Sequence, residues 1–185
     1  IIIGMGEWGV CTRILYKKMG SMLTFGSNGK AVAPSMVSAR DLKLLYRADK
    51  LNDNTGIYGV VGNPVMHSLS PQIHNPGFQR IHYNAVYVPF LADSIRSFLS
   101  LAEMLRMRGF SVTVPFKVDV LKYLGNITRE VKLIGSCNTV VRVPNMWKGT
   151  NTDYYGFIHP IEKEIDEGRI KSALIIGAGG AAKAI

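Results

Sequence analysis

Seven polar residues stand at the ends of predicted strands and helices, where their side chains could act together. They are Ser68, Ser70, Thr113, Lys117, Asn138, Asn151 and Asp153. Taken singly, Lys117 could be a surface lysine and Asp153 a helix N-cap, since Asp is a favoured capping residue. Taken together, the hydroxyl and amide groups suit a small polyhydroxylated acid, because they can hydrogen-bond its hydroxyls and its carboxylate. A lysine in contact with an aspartate could then move a proton during alcohol/ketone chemistry.

A glycine-rich turn near residue 180 indicates a second kind of site. Its residues Gly177, Ala178, Gly179, Gly180 and Ala181 fit the pattern G-x-G-x-x-G/A when Ala182 is added. The turn follows an apolar segment, residues 172–176, that is typical of a buried strand. Free N–H groups at the start of the next helix would bind a pyrophosphate. A complete dinucleotide-binding unit needs about 30 residues, so the sequence predicts only its start. An ordinary strand-to-helix turn is the alternative.

The composition favours some classes of protein over others. A hydrophobic content of 47% with 19% charged residues is typical of a globular chain. The net charge of +9 comes from dispersed lysines and arginines, which favours a small-anion site over a nucleic-acid groove. Cys11 and Cys137 cannot build a disulfide framework, so we expect reduced thiols in an intracellular protein. No signal peptide is evident, and no apolar run reaches the roughly 18 residues of a membrane span. We therefore expect neither a nucleic-acid nor a membrane partner.

Strand and helix signals alternate along the chain, which predicts α/β structure with a mostly parallel sheet. Residues 1–50 predict strands at 1–5 and 21–26 and helices at 11–19 and 38–49, the last capped by Ser38. A polar run at residues 52–56 marks a boundary. Beyond it we expect strands at 57–62, 85–88, 110–114, 139–143 and 172–176, with helices from 71, at 91–107, at 117–124 and at 152–167.

Five ordered motifs in residues 57–185 resemble the shikimate dehydrogenase family. They are residues 58–71 with His74 and Asn75, residues 111–117, Asn138 with Thr139, residues 149–153 and the turn at Gly177. The resemblance implies a substrate-binding domain at 56–153 and the start of a Rossmann NADP-binding domain at 154–185. It also implies that NADP(H) is the cofactor, that no metal is needed and that the substrate is shikimate or 3-dehydroshikimate.

The same resemblance assigns a role to each polar residue. Ser68 and Ser70 would bind the substrate carboxylate. Thr113, Asn138 and Asp153 would bind ring hydroxyls, and Lys117 would be the catalytic acid/base, held by Asp153. Residues Gly177, Ala178, Gly179, Gly180 and Ala181 would contact the cofactor pyrophosphate.

Residues 1–53 resemble the end of a type I 3-dehydroquinate dehydratase, a (β/α)₈ barrel. Residues 5–9, 12–13, 23–26 and 33–34 carry this likeness, and Arg13 would be the carboxylate-binding arginine. The family's loop over the substrate is altered here, at residues 32–36, and its Schiff-base lysine is not in the sequence. We therefore expect no dehydratase activity from this segment. The order of the two segments resembles the bifunctional plant enzyme, which implies a monomer, a plastid location in a plant or a cytoplasmic one in a bacterium.

Two alternatives remain open. A quinate dehydrogenase of the same family would carry the same motifs. A substrate-binding protein without activity is the other alternative, motivated by Val32, Met36 and Pro76. Pro76 falls inside the predicted helix after Ser70, where a proline costs about 3 kcal/mol or more. Either that helix is therefore kinked or the local sequence is unusual.

Overall fold

The computed structural model of the chain describes residues 3–29 and 36–185. At its centre lies a sheet of six strands in the order β2-β1-β3-β5-β6-β4. The strands are β1 (Gly56–Gly62), β2 (Ala85–Leu91), β3 (Gly109–Val112), β4 (Asn126–Ile127), β5 (Thr139–Val143) and β6 (Met146–Thr150). Strand β1 pairs in parallel with β2 and β3, and β4 with β6, while β5 is antiparallel to β3 and β6. The prediction of a mostly parallel α/β sheet is confirmed.

Seven α-helices accompany the sheet within the described residues. They are α1 (Val10–Ile14), α2 (Ala39–Leu44), α3 (Ser70–Arg80), α4 (Ile95–Met104), α5 (Arg129–Ile134), α6 (Asp153–Ile158) and α7 (Glu162–Asp166). Short 3₁₀ turns occupy Glu7–Gly9, Ala48–Lys50, Asp119–Tyr123, His159–Ile161 and Ala182–Ala184. The predicted helix at 117–124 is thus a 3₁₀ turn, and the one at 152–167 is interrupted at Pro160.

The apolar pattern of the chain explains where the core lies. Strand β1 is buried along almost its whole length, as expected for a central parallel strand. Helix α4 buries one stripe at helical spacing, including Phe98, and its N-terminus is capped by the Ser94 hydroxyl. The Phe98 ring packs edge-on against Phe90 and Phe110, with centroids 5.5 and 4.9 Å apart. These contacts hold α4 against strands β2 and β3.

The first fifty residues pack on this sheet. Val10, Ile14 and Leu42 belong to the same buried cluster as Val86 of β2. The predicted cap is confirmed, because the Ser38 hydroxyl accepts the Asp41 N–H at 2.9 Å.

Several predicted elements of this region are wrong. Residues 3–5 and 21–26 form no strand, and the helix predicted at 11–19 ends at Ile14. The helix predicted at 38–49 is divided between α2 and the turn at Ala48–Lys50. A barrel strand is stable only between neighbouring strands that complete its hydrogen bonds, and the described residues offer none here. Residues 32–35 of the altered loop lie outside the described part.

The strand predicted at 172–176 is also wrong. These residues have no strand beside them, and Leu174 and Ile176 are 86% and 92% exposed. The helix expected after Gly177 is only the 3₁₀ turn Ala182–Ala184. An isolated strand has no ladder partner, and an isolated helix of fewer than about 12 residues is marginal in water.

Helix α3 continues through Pro76, which lies inside it. Pro76 is exposed, while Asn75 before it is buried and joins the helix to β2. The Asn75 amide accepts the Tyr87 N–H at 2.8 Å and donates to the Tyr87 carbonyl at 2.9 Å. These two hydrogen bonds to the edge strand β2 hold the helix against the sheet despite the proline.

Candidate functional site

The predicted catalytic and substrate-binding residues line one cavity of about 560 Å³. It opens at the ends of β1 and β3 and at the turns before β5 and α6. The predicted residues in its wall are Ser68, Ser70, Thr113, Lys117, Asn138 and Asp153. Parallel strands place their carboxyl ends at one edge of a sheet, which is where ligands of α/β proteins bind. The sheet therefore brings together side chains that are up to 85 positions apart, from Ser68 to Asp153.

Close approach of the strand ends requires a glycine. A Cβ on Gly62 would lie 2.3 Å from the Thr113 methyl group, so only glycine fits beside this side chain. The Thr113 N–H donates to the Val61 carbonyl at 2.9 Å, which continues the pairing of β1 and β3 into the cavity wall. The peptide bonds Asn63–Pro64 and Val114–Pro115 in the loops that follow are both cis.

Lys117 and Asp153 form an ion pair in the cavity. The Lys117 ammonium donates to Asp153 Oδ2 at 2.6 Å, and the two side chains are 15% and 33% exposed. A charge-assisted hydrogen bond of this length holds the ammonium in one direction. Partial exposure leaves both groups accessible to a ligand in the cavity.

Asn138 fixes the other side of the same carboxylate. Its Nδ2 donates to Asp153 Oδ1 at 2.6 Å. Its Oδ1 accepts the Thr152 N–H at 3.0 Å and the Thr139 hydroxyl at 2.9 Å. Because a backbone N–H must face the amide oxygen, these bonds define which end of the Asn138 side chain points to Asp153. Both carboxylate oxygens thus have a donor.

Asn151 anchors the segment that carries Asp153. It is buried, its Nδ2 donates to the Ser136 carbonyl at 2.9 Å, and its Oδ1 accepts the Asp153 N–H at 2.9 Å. Asp153 is the first residue of α6 and not its cap, which is Thr152. The structure therefore removes the simple capping explanation for Asp153.

Ser68 and Ser70 form a hydroxyl pair before α3. Ser68 Oγ donates to Ser70 Oγ at 3.0 Å and accepts the Ser70 N–H at 3.2 Å. The N-cap of α3 is Leu69, so Ser70 does not serve as its cap. The two hydroxyls stand in the cavity wall and can turn towards an anion, since a hydroxyl hydrogen rotates freely.

Several polar side chains of the wall were not assigned from the sequence. They are His67, His74, Ser111, Thr139 and Thr152. The Ser111 hydroxyl accepts a hydrogen bond of 2.7 Å from Tyr87, a buried residue of β2 behind the wall. Partial burial lowers the pKa of His74, whose ring stacks on Tyr87. Period-two spacing could have placed Ser111 and Thr113 on one face of β3, but nothing in the sequence pairs Tyr87 with Ser111.

The glycine-rich turn keeps some features that a pyrophosphate requires. Gly177 has a φ of 118°, a conformation that residues with a Cβ rarely adopt, and open space surrounds it. Gly180 lies against Ser136 and Lys117, where a Cβ would meet Ser136 Oγ at 2.7 Å. The backbone of the turn therefore leaves room for a ligand to approach closely, and the turn lies beside Lys117. The strand and helix that would stiffen it are not formed.

Arg13 lies apart from this cavity. It is 2% exposed, and its Nε and Nη1 atoms have no hydrogen-bond partner in the described residues. Its carbonyl accepts the Thr24 hydroxyl at 3.0 Å. The structure thus does not bring Arg13 to the other predicted site residues.

The described residues hold neither a metal-ligand cluster nor a membrane-spanning helix. No cluster of three or more His, Cys, Asp or Glu side chains there is placed to hold a metal ion. None of their helices is both long and apolar enough to cross a membrane.

A sheet with a lysine–aspartate pair and a wall of hydroxyls at its strand ends defines an α/β substrate-binding domain for a small polar molecule. Residues 60–140 match the shikimate dehydrogenase substrate binding domain, and residues 1–53 match type I 3-dehydroquinase. In sequence order, the chain therefore matches a segment of type I 3-dehydroquinase followed by a shikimate dehydrogenase substrate binding domain.

Three known proteins illustrate these relationships. The chain is 37% identical over 98% of its length to the chloroplastic bifunctional 3-dehydroquinate dehydratase/shikimate dehydrogenase of Arabidopsis thaliana, of which it covers 33%. It is 41% identical over 74% of its length to the shikimate dehydrogenase (NADP(+)) of Caldanaerobacter subterraneus, of which it covers 49%. The crystal structure of shikimate dehydrogenase from Aquifex aeolicus superposes with a TM-score of 0.68 at 37% identity, covering 73% of this chain and 52% of that one. The chain thus spans half or less of the curated relatives described here.

Proposed function

We propose that this chain provides the substrate site of an NADP-dependent shikimate dehydrogenase, which reduces 3-dehydroshikimate to shikimate and runs in reverse. The observation that carries the proposal is the Lys117–Asp153 pair, held at 2.6 Å inside a cavity walled by hydroxyls. The relatives named above carry the same activity in their names. The proposed units are the dehydratase segment 1–53, the substrate-binding domain 56–153 and the start of the NADP-binding domain at 154–185.

The substrate carboxylate is proposed to bind at Ser68 and Ser70. A carboxylate accepts hydrogen bonds only, and two serine hydroxyls with adjoining backbone can supply donors. The net charge of +9 adds a favourable field for an anionic substrate. Ring hydroxyls are proposed to bind Thr113, Asn138 and Asp153, whose side chains offer both donors and acceptors in the same wall.

Lys117 is proposed to act as the general acid. As the ketone is reduced, negative charge develops on its oxygen, and the Lys117 ammonium gives that oxygen a proton. Asp153 keeps the ammonium directed, because its carboxylate accepts the Lys117 hydrogen bond. Asn138 holds the carboxylate from the other side, so the pair does not have to reorganise during the reaction. In the oxidation of shikimate the same lysine, as the neutral amine, accepts the hydroxyl proton.

NADPH, when bound, would supply the hydride. The residues proposed to hold its pyrophosphate are Gly177, Ala178, Gly179, Gly180 and Ala181. The open backbone at Gly177 and the approach of Gly180 to Lys117 support this proposal. In a plant, the plastid is the proposed location, as the name of the Arabidopsis relative states for that enzyme.

Calorimetric titration of the chain with shikimate tests the proposal directly. We expect saturable binding that weakens strongly when Ser68 and Ser70 are both changed to Ala. Ser100→Ala is the matched control, because Ser100 is an exposed serine outside the cavity wall, and its hydroxyl donates to the Arg96 carbonyl. No shikimate binding by the wild-type chain, or equal loss in the control, would contradict the proposal. Titration with quinate in parallel separates the two substrates.

A further inference from the structure

Tyr87 lies directly behind the hydroxyl-rich wall of the cavity. It belongs to β2 and is only 4% exposed, so its side chain is not part of the cavity surface. His74 and Ser111, which contact it, do line the cavity. Tyr87 therefore cannot touch a ligand itself, but it can act on residues that do.

The Tyr87 hydroxyl orders one serine of the wall. It donates to Ser111 Oγ at 2.7 Å. Burial raises the pKa of Tyr87, and the hydrogen bond with the Ser111 side chain opposes that rise. Since the tyrosine uses its single hydrogen on Ser111, the hydrogen of Ser111 is left for another acceptor. A carboxylate in the cavity would be such an acceptor.

The tyrosine ring is itself held firmly. The Asn75 side chain pairs with both backbone polar groups of Tyr87, at 2.8 and 2.9 Å. On the ring face, His74 stacks with a centroid distance of 4.3 Å and an interplanar angle of 14°. Because these contacts hold the ring, its hydroxyl approaches Ser111 from one direction.

We propose that Tyr87 is a positioning residue for the substrate carboxylate, because its buried hydroxyl donates to Ser111 and leaves the Ser111 hydrogen directed at the cavity. The inference rests on the proposed function, which places a carboxylate at this wall. A free serine hydroxyl rotates, and fixing it when the carboxylate binds costs entropy. Tyr87 lowers that cost by ordering the Ser111 hydroxyl before the ligand arrives.

Titration calorimetry of the Tyr87→Phe chain with shikimate and with methyl shikimate, its neutral ester, tests this. The substitution removes one oxygen and keeps the packing. We expect shikimate affinity to fall about three- to ten-fold, the usual worth of a hydrogen bond. Affinity for the ester should change less than about two-fold on the same scale. Tyr58→Phe is the control, because the Tyr58 hydroxyl bonds Tyr83 at 2.9 Å outside the cavity; it should leave both affinities unchanged.

The outcomes separate this inference from the proposed function. If wild type does not bind shikimate, the proposed function fails and the inference fails with it. If wild type binds and Tyr87→Phe binds equally well, only the role of Tyr87 is overturned. Equal losses for acid and ester would indicate a structural role and overturn it too.

A second variant covers the case in which Tyr87→Phe does not fold. Ser111→Ala removes the acceptor of the tyrosine and should also weaken the acid more than the ester. An unchanged affinity in Ser111→Ala would contradict the inference. Where both single variants fold, the double variant should lose less than the product of the two single losses, since both break the same bond.

Discussion

The Lys117 ammonium contacts the Asp153 carboxylate at 2.6 Å, although 36 positions separate the two residues in the chain. Lys117 follows the end of β3, and Asp153 begins α6 after β6. The chain holds a second lysine–aspartate pair, Lys122 with Asp119, at 2.8 Å. That pair is exposed and three positions apart, so it is the natural control for the pair in the cavity.

Replacing Lys117 should remove proton transfer with little effect on substrate affinity. In a polypeptide that continues into a complete NADP-binding domain, we expect Lys117→Ala to lower kcat by about 10²–10⁴-fold, the worth of a positioned proton donor. Shikimate affinity should change less, because the carboxylate is proposed to bind Ser68 and Ser70. Steady-state kinetics with NADPH and 3-dehydroshikimate measure both. Lys122→Ala should behave as wild type, and near-normal turnover by Lys117→Ala would remove this lysine from the mechanism.

Asp153→Asn should also lower kcat, since the amide keeps the shape of the carboxylate but loses the charge that directs Lys117. If the two residues act as one unit, the double variant should lose far less than the product of the single losses. A full double-mutant cycle on kcat measures the coupling. Independent, multiplicative losses would refute the unit even if each residue matters alone.

The chain of 185 residues alone should not oxidise NADPH in the presence of 3-dehydroshikimate. The reason is local: residues 172–176 form no strand, and only a short 3₁₀ turn follows the glycines. Such a turn cannot hold a cofactor in one position. Absorbance at the NADPH band, with a complete shikimate dehydrogenase as positive control, measures the rate. Turnover close to that of the control would show this expectation to be wrong.

Residues 1–53 should form no covalent adduct when 3-dehydroquinate and borohydride are added. The Lys17 side chain donates to the Asp49 carbonyl, and Lys18 donates to the carbonyls of Asn52 and Asp53. The ammonium groups of both lysines are therefore engaged by backbone carbonyls of residues 49–53. Mass spectrometry of peptides measures the adduct, with a type I 3-dehydroquinase as positive control. A modified lysine anywhere in this segment would overturn the prediction.

Stability should fall at alkaline pH because of Cys137. Burial raises the pKa of this thiol from 9.0 to about 11, and its Sγ bonds the carbonyls of Thr139 and Thr150 at 3.3 Å. Because the pKa is raised only in the folded chain, the Cys137 thiol ionises at a lower pH in the unfolded chain than in the folded one. This contribution to stability is therefore complete below pH 9 and declines as the pH rises towards 11.

Urea unfolding at pH 8 and pH 10 measures the effect of Cys137. Between these two pH values, the free energy of unfolding of wild type should fall by about 1 kcal/mol more than that of Cys137→Ala. The alanine variant corrects for lysines and tyrosines that titrate in the same range. Equal losses in the two proteins would contradict the role of the thiol.

Sequence patterns within a single segment predict its structure correctly where that segment packs against neighbouring elements. The buried run at β1 and the apolar stripe of α4 pack against the rest of the domain, so period and burial agree. The Ser38 cap depends on a hydrogen bond to a residue three positions away, so the sequence predicts it equally well. Of the strand predicted at 1–5, the described residues 3–5 form none, and neither do residues 21–26 and 172–176, because a strand depends on a partner that local pattern does not supply.

The sequence by itself determined which residues could do chemistry, through their types and their ordered motifs. These residues are Lys117, Asp153, Ser68, Ser70 and Asn138. Only the tertiary structure decided which of them meet. It joined Lys117 to Asp153 through the order of the strands, placed Asn138 on the second carboxylate oxygen and set Tyr87 behind Ser111. The physical reason is that hydrogen bonds between distant segments depend on strand pairing and register, which the packing of the whole sheet fixes.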